Sequence, residues 1–416
     1  MLTRSPQEVI LKFSERVDSR TAAINLETPG NKRVQADRPQ RWKNDPTALT
    51  VAVKHRLSGS YVLFWRVVGQ DSHTVNGAFS FAVQTAGSES ASPLPASAIV
   101  ATTSKPFVQG ALSVARAAVY LAMSALVGGV ALLFFVWPDG VGLRRSRRVL
   151  WWAWGGLAAA TALSAAIAQI AATGRALSAL GQPHLLFGAA ETHFGLVAVA
   201  RLALLALAAL LLVDLEEAVR TRSFWWCLPA LAVAAGLIRT PGMVDHGATA
   251  SVPVSLAYFL HMAGVTVWIG GLVLIVAVLV PNRAALDDPR AVLVRFSAAA
   301  TVALAVVAAS GLLLASPIIQ HWRAVPSSDY GQLFVTKLVL LAAGLTLAWR
   351  LRRWLRRSPS GFGSTHVATL VTEAAFVVAV VVVTAVLVGR NPSLESSTRQ
   401  PTSITQKGPT GVISPT

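Results

Sequence analysis

Eight apolar runs between residues 108 and 390, each close to the length of a lipid crossing, constrain this chain more than any other feature. A helix needs about twenty predominantly apolar residues to span a hydrocarbon core. Runs of Ala, Val and Leu at roughly 108–136, 149–172, 194–213, 224–238, 254–279, 297–317, 331–349 and 367–389 supply that length. The fourth is short alone and is expected to continue into the Arg239 region. Inside lipid each backbone polar group must be satisfied within its own segment, which leaves helices for runs of this kind. The spacing therefore predicts an all-α membrane bundle of about eight transmembrane helices over 108–390. Only 13% of the residues are charged, against roughly a quarter in an average soluble protein.

The arginines give that bundle an orientation. Connections one, three, five and seven carry Arg144, Arg145, Arg147 and Arg148; Arg220 and Arg222; Arg283, Arg290 and Arg295; and Arg350, Arg352, Arg353, Arg356 and Arg357. The alternate connections carry only Arg175, Arg239 and Arg323. Cytoplasmic loops collect basic residues, so the multi-pass protein is expected to have its N- and C-termini outside. The net charge of +17 might otherwise point to nucleic acid, but charge gathered between spans is a topology signal with affinity for anionic lipid. The lipid bilayer is thus the expected partner, and no nucleic acid is expected.

Residues 1–84 follow a different rule. Leu11 and Phe13 share one face of an alternating pattern, as do Leu49, Val51 and Val53, then Tyr61, Leu63, Trp65 and Val67, then Phe79 and Phe81. Period-two alternation broken by turn residues, as at Pro29-Gly30-Asn31 and Ser58-Gly59, predicts an all-β antiparallel sandwich. Residues 85–107 are rich in Ser, Ala and Pro and read as a flexible linker. Residues 391–416 read as a disordered tail. Cys227 is the only cysteine, which excludes an intrachain disulfide and a thiolate metal cluster.

Asp71 and His73 stand two apart in a polar stretch between two alternating segments. On a strand, residues i and i+2 point to the same face, so a carboxylate and an imidazole can converge on one ion. A nitrogen and oxygen ligand set without sulfur suits Cu(II), with Zn also admitted. A hydrogen-bonded turn explains the same pair without a metal.

The phrases SGSYVLFWRVVGQDSHTVNGAFSFAV and SPQEVILKFSERVD resemble the CopC family of copper-binding β-sandwich domains, which are Ig-like in fold. The resemblance implies that Asp71 and His73 are two of three Cu(II) ligands, the third being an amino-terminal histidine of the mature protein. That third ligand is absent from this chain. The N-terminal domain is thereby expected to be incomplete, with a start upstream that carries the histidine and a signal peptide.

In the membrane part the ionisable residues Arg116, Arg201, His261, Lys337 and Glu373 fall inside spans. Each costs free energy there unless paired or solvated. Arg201, His261 and Lys337 each lie about seven residues from the outer end of a span, a depth of ~10 Å. A shared layer of this kind could line an outer vestibule with His184, His193 and His321; arginine and lysine snorkelling to headgroups explains the cations equally well. His261, Val265 and Trp268 follow helical spacing, and His246 precedes the same span in an outer loop. His246, His261 and Trp268 are the candidate transport path. A histidine bonded to a neighbouring helix is the plainer explanation of His261. Five of eight histidines fall on one side of the bundle, which suits a metal entry route.

The phrases DHGATA, LAYFLHMAGVTVWIGGL, VRFSAAATVALAVVAASGLLLA, YGQLFVTKLVLLAAGL and FGLVAVARLALL resemble the CopD family of copper-associated membrane proteins. The whole chain resembles a CopC–CopD fusion. That resemblance implies copper binding on the outer face of a bacterial cytoplasmic membrane, copper import across it, and a part in copper resistance. Copper is the implied ligand and cargo, and other copper-handling proteins outside the membrane are expected partners. The alternative is a membrane-anchored protein that sequesters or senses copper without transport. An enzymatic role is not expected: haem-binding spans need paired histidines, and His261 stands alone at depth.

Overall fold

The computed structural model describes residues 5–13, 16–17, 19, 22–28, 33–34, 39–54, 56–68, 74–83, 106–173, 193–244, 252–315, 329–357, 364–388, 403–405 and 412–413. The chain divides into two compact units, a β unit and a helical one.

The β unit contains two antiparallel sheets. One has the order β4-β5-β1-β8-β9, from Gln40–Arg41, Ala48–Ala52, Glu8–Lys12, Ser403–Thr405 and Val412–Ile413. The other runs β3-β2-β6-β7, from Arg33–Val34, Ala23–Glu27, Gly59–Val68 and Thr74–Val83. The alternation read from the sequence becomes the core. Leu11, Leu49 and Val51 from the first sheet meet Tyr61, Leu63, Trp65, Val67 and Phe81 from the second in one buried cluster. Each fully buried leucine there, such as Leu11, Leu49 or Leu63, contributes about 2 kcal/mol. The side chain of Phe79 lies outside the described residues.

Strands β6 and β7 pair over their full length, from Gly59 with Val83 to Val68 with Thr74. The Tyr61 and Phe81 rings, directly opposite in that register, stack at 5.9 Å. Before β5, Lys43 and Asn44 take left-handed φ values of 45° and 64°. Asp45 closes that turn by accepting from the Thr47 amide at 2.8 Å and its hydroxyl at 2.7 Å. These two bonds, helped by Lys12, hold the Asp45 carboxyl below its ordinary pKa.

The composition of residues 391–416 predicts no regular structure, yet Ser403–Thr405 pairs antiparallel with β1, Ile10 opposite Thr405. Val412–Ile413 pairs in turn with β8. The physical reason is local: β1 has one edge beside β5 and another that accepts backbone hydrogen bonds from any extended segment. A compositional average over the tail does not register so short a strand.

The helical unit carries eight helices long and apolar enough to cross a membrane. They are α1 (Pro106–Met123), α2 (Arg144–Thr173), α3 (His193–Val213), α4 (Phe224–Val244), α5 (Val252–Leu274), α6 (Pro289–Leu314), α7 (Asp329–Arg357) and α8 (Ser364–Val388). Helix α4 does run through Arg239, with Pro229 and Pro241 inside it. Helix α1 continues to Val136 through two π-helical turns, Ser124–Gly128 and Leu132–Val136, and α5 continues through a third, Ile275–Leu279. The extra residue of a π turn redirects backbone carbonyls. The Phe134 carbonyl in the second turn accepts from the Arg222 guanidinium at 2.8 Å.

Helix α5 is the centre of this unit. It packs against α6, α4, α8 and the first π turn. Its buried residues include Gly264, Thr266, Trp268, Gly270 and Gly271. A Cβ on Gly270 would overlap the Ser124 carbonyl, and one on Gly128 would overlap the Thr266 carbonyl. Glycine at both positions lets the two backbones touch, the packing mode favoured where lipid supplies no hydrophobic drive between helices.

Candidate functional site

His261 sits half-buried on α5, facing α6. Its Nδ1 lies 3.1 Å from the Val307 carbonyl oxygen and 3.3 Å from the Ser310 hydroxyl. A carbonyl only accepts, so Nδ1 carries the ring proton and donates it to Val307. The Ser310 hydroxyl donates in turn to the Val306 carbonyl of its own helix. Gly311 makes room for the imidazole: a Cβ there would stand 3.3 Å from the ring Cε1.

This arrangement fixes the tautomer. With Nδ1 protonated, Nε2 is left as a lone-pair donor with no hydrogen-bond partner among the described residues. Metal-binding histidines are held in this way, with the non-ligating nitrogen donating to a carbonyl or carboxylate. Lys337 on α7 lies within electrostatic reach of the ring.

Two turns further along α5, Trp268 is almost completely buried and is the hydrogen-bond partner of the Glu373 carboxylate on α8, itself buried. His261, Val265 and Trp268 thus form a column on α5 whose upper end meets α6 and α7 and whose lower end meets α8. The spacing of the column was legible in the sequence. The second partner of each end was not, because pairing across helices leaves no periodic signal. Ser310-Gly311, a small polar pair in an apolar run, was the available hint.

Depth alone grouped Arg201 with His261 and Lys337, and the structure separates them. Arg201 is 6% exposed on α3, where its Nε donates to the Thr240 hydroxyl of α4 at 2.8 Å. That hydroxyl donates to the Leu237 carbonyl at 2.7 Å. Arg116 is half-buried on α1. His193 is the first residue of α3, with its side chain outside the described residues. His184, His246 and His321 also lie outside them, as do Asp71 and His73, between the end of β6 and the start of β7. Among the described residues, no three His, Cys, Asp or Glu side chains converge as a metal site.

Family comparison adds what geometry does not. Residues 1–84 match the CopC domain, and residues 290–388 match Copper resistance protein D, CopD. The Copper transport protein CutJ of Bacillus subtilis (strain 168) is 28% identical over 396 residues, covering 90% of this chain and 71% of its own length. The chain is a CopC–CopD fusion. Protein YobA of Escherichia coli (strain K12) is 30% identical over 84 residues, which is 20% of the fusion and 68% of YobA. A crystal structure of CopC from Methylosinus trichosporium OB3b is 27% identical, covering 21% of the fusion and 86% of that chain, with a TM-score of 0.20. The family is one of copper transport and resistance, so the fusion is a copper-handling, multi-pass membrane protein. The His261 column precedes the stretch matched to CopD and lies within the 90% of the chain that aligns with CutJ.

Proposed function

We propose that the fusion collects Cu(II) on the outer face of the membrane and imports copper through its helical unit. In this reading Asp71 and His73 both supply Cu(II) ligands, a carboxylate oxygen and an imidazole nitrogen. Copper then passes to the helical unit by way of His246 and His261. The observation that carries this reading is the His261 Nε2, without a hydrogen-bond partner among the described residues while Nδ1 is bonded to Val307. A lone imidazole binds a metal ion weakly enough to pass it on, which a closed three- or four-ligand site does not.

One observation favours the second reading, an anchored copper buffer or sensor that transports nothing. The Lys337 ammonium lies within electrostatic reach of His261, and a cation there opposes entry of a second one. The two readings separate on paired variants. Import predicts that His261→Ala and His73→Ala both lower whole-cell copper under copper limitation. A buffer predicts that only His73→Ala changes the copper response. Unchanged copper content on deleting the gene would rule import out.

A further inference from the structure

We propose that the arginine cluster at the start of α2 is a binding site for the headgroup of an anionic phospholipid. Arg144, Arg145, Arg147 and Arg148 fall within five residues, and all four side chains are exposed. Arg144, Arg147 and Arg148 line a cavity of about 740 Å³ with Trp151 and Trp152. An adjoining cavity of about 510 Å³ shares Arg144, Arg148 and Trp152 and reaches Arg145 and Asn282, beyond the end of α5. Both volumes fall within the range of small-molecule sites, roughly 300–1,000 Å³.

The charge on this face is not neutralised from within. Among the described residues one ion pair reaches it, Arg147 with Glu216 at 3.7 Å, and both partners are more than half exposed. A pair of that kind contributes little. Four guanidinium groups at such spacing repel one another unless an anion lies between them.

The residue types specify which anion. All four cations are arginine, whose planar fork matches two phosphate oxygens, where lysine offers a point charge. The aromatic rings set the depth. Trp152 is 78% exposed, and Trp225 at the start of α4 is 81% exposed. Exposed indoles mark the headgroup level of a bilayer. A phosphate diester whose acyl chains continue past the tryptophans satisfies both halves of the cavity. Free phosphate satisfies only the arginines. The occupant is therefore a lipid of the leaflet on the arginine-rich side.

The test uses the full chain, reconstituted in equimolar phosphatidylcholine and phosphatidylglycerol, extracted in mild detergent and weighed by native mass spectrometry. Wild type is expected to retain phosphatidylglycerol in preference to phosphatidylcholine. Arg144→Gln with Arg148→Gln is expected to lower that retention about tenfold. Arg350→Gln with Arg353→Gln, which removes equal charge from another basic connection, is expected to keep it. Arg144→Lys with Arg148→Lys preserves charge, guards against a folding failure of the glutamine pair, and is expected to lose several-fold through the missing fork. Equal loss in both glutamine pairs would mean diffuse charge attraction and overturn the site. So would wild-type retention without preference between the two lipids, or displacement of the lipid by millimolar inorganic phosphate.

Discussion

Helices α3 and α5 each carry an ionisable side chain at a similar distance from the end of a span, and the two side chains meet different partners. On α3 the Arg201 guanidinium donates to Thr240 and ties α3 to α4. The same helix turns Val199, Leu202, Leu207 and Leu210 outward, while its Leu205 and Leu211 carbonyls accept from the Trp154 and Trp226 indoles at 2.7 Å and 3.1 Å. On α5 the backbone is enclosed on several sides through glycine contacts, and the His261 Nε2 has no hydrogen-bond partner among the described residues. Depth along a span does not set which partners such a group meets; the neighbouring helix does.

The largest expected effect comes from breaking the enclosure of α5. Gly270→Ala drives a methyl into the Ser124 carbonyl, a backbone atom that cannot swing aside. Overpacking of this kind costs about 3 kcal/mol at its upper end. Thermal unfolding in detergent should show a clear drop, with copper uptake lost along with the fold. Gly110→Ala, where the added Cβ meets nothing within 4 Å, should leave the unfolding temperature unchanged or slightly raised. If the two alanines behave alike, α5 is not the packed centre of the unit.

The next effect tests the His261 Nε2. His261→Ala should lower copper uptake per folded molecule by about tenfold to a hundredfold, the loss expected on removing a group that holds or orients a metal. Its unfolding temperature should move little, because one half-buried ring is lost from a helix held by its glycines. Uptake at wild-type levels would return His261 to a structural role beside Ser310 and leave the buffer reading standing.

Arg201→Met should show the reverse pattern. The methionine keeps the apolar stem, and the Thr240 hydroxyl keeps its bond to Leu237, so losing the charged hydrogen bond costs about 1.5–3 kcal/mol. Stability should fall by that amount while copper uptake per folded molecule stays at the wild-type level. A loss of uptake matching that of His261→Ala would put Arg201 on the path and collapse the contrast between the two helices.

The contrast also marks where sequence reading stops. The eight spans were legible because length and apolarity are one-dimensional properties, and the fourth was correctly extended through Arg239. The β faces were legible for the same reason: alternation at Tyr61, Leu63, Trp65 and Val67 is the core pattern itself. Depth could be counted from span ends, so Arg201, His261 and Lys337 fell into one layer. The direction each faces around its helix depends on which neighbour it meets, and only the folded chain separates Thr240 from Ser310. The π turns escaped for a related reason, since one extra backbone residue in an apolar run changes neither length nor composition. The reading of Asp71 and His73 rests on the family match of the residues around them, and both lie outside the described residues.

The smallest expected effect sharpens the comparison at the imidazole itself. Gly311→Ala places a Cβ 3.3 Å from the His261 Cε1, a contact relieved by a few tenths of an ångström of movement. The ring can move only by lengthening its 3.1 Å bond to Val307, which loosens the aim of Nε2 without removing it. Copper uptake should fall a few-fold, less than for His261→Ala, and stability should change by under about 1 kcal/mol. In the double variant Gly311→Ala with His261→Ala, the glycine substitution should add nothing further, because the group it disturbs is gone. Additive losses in that double variant would show that Gly311 acts on α6 packing and not on the imidazole.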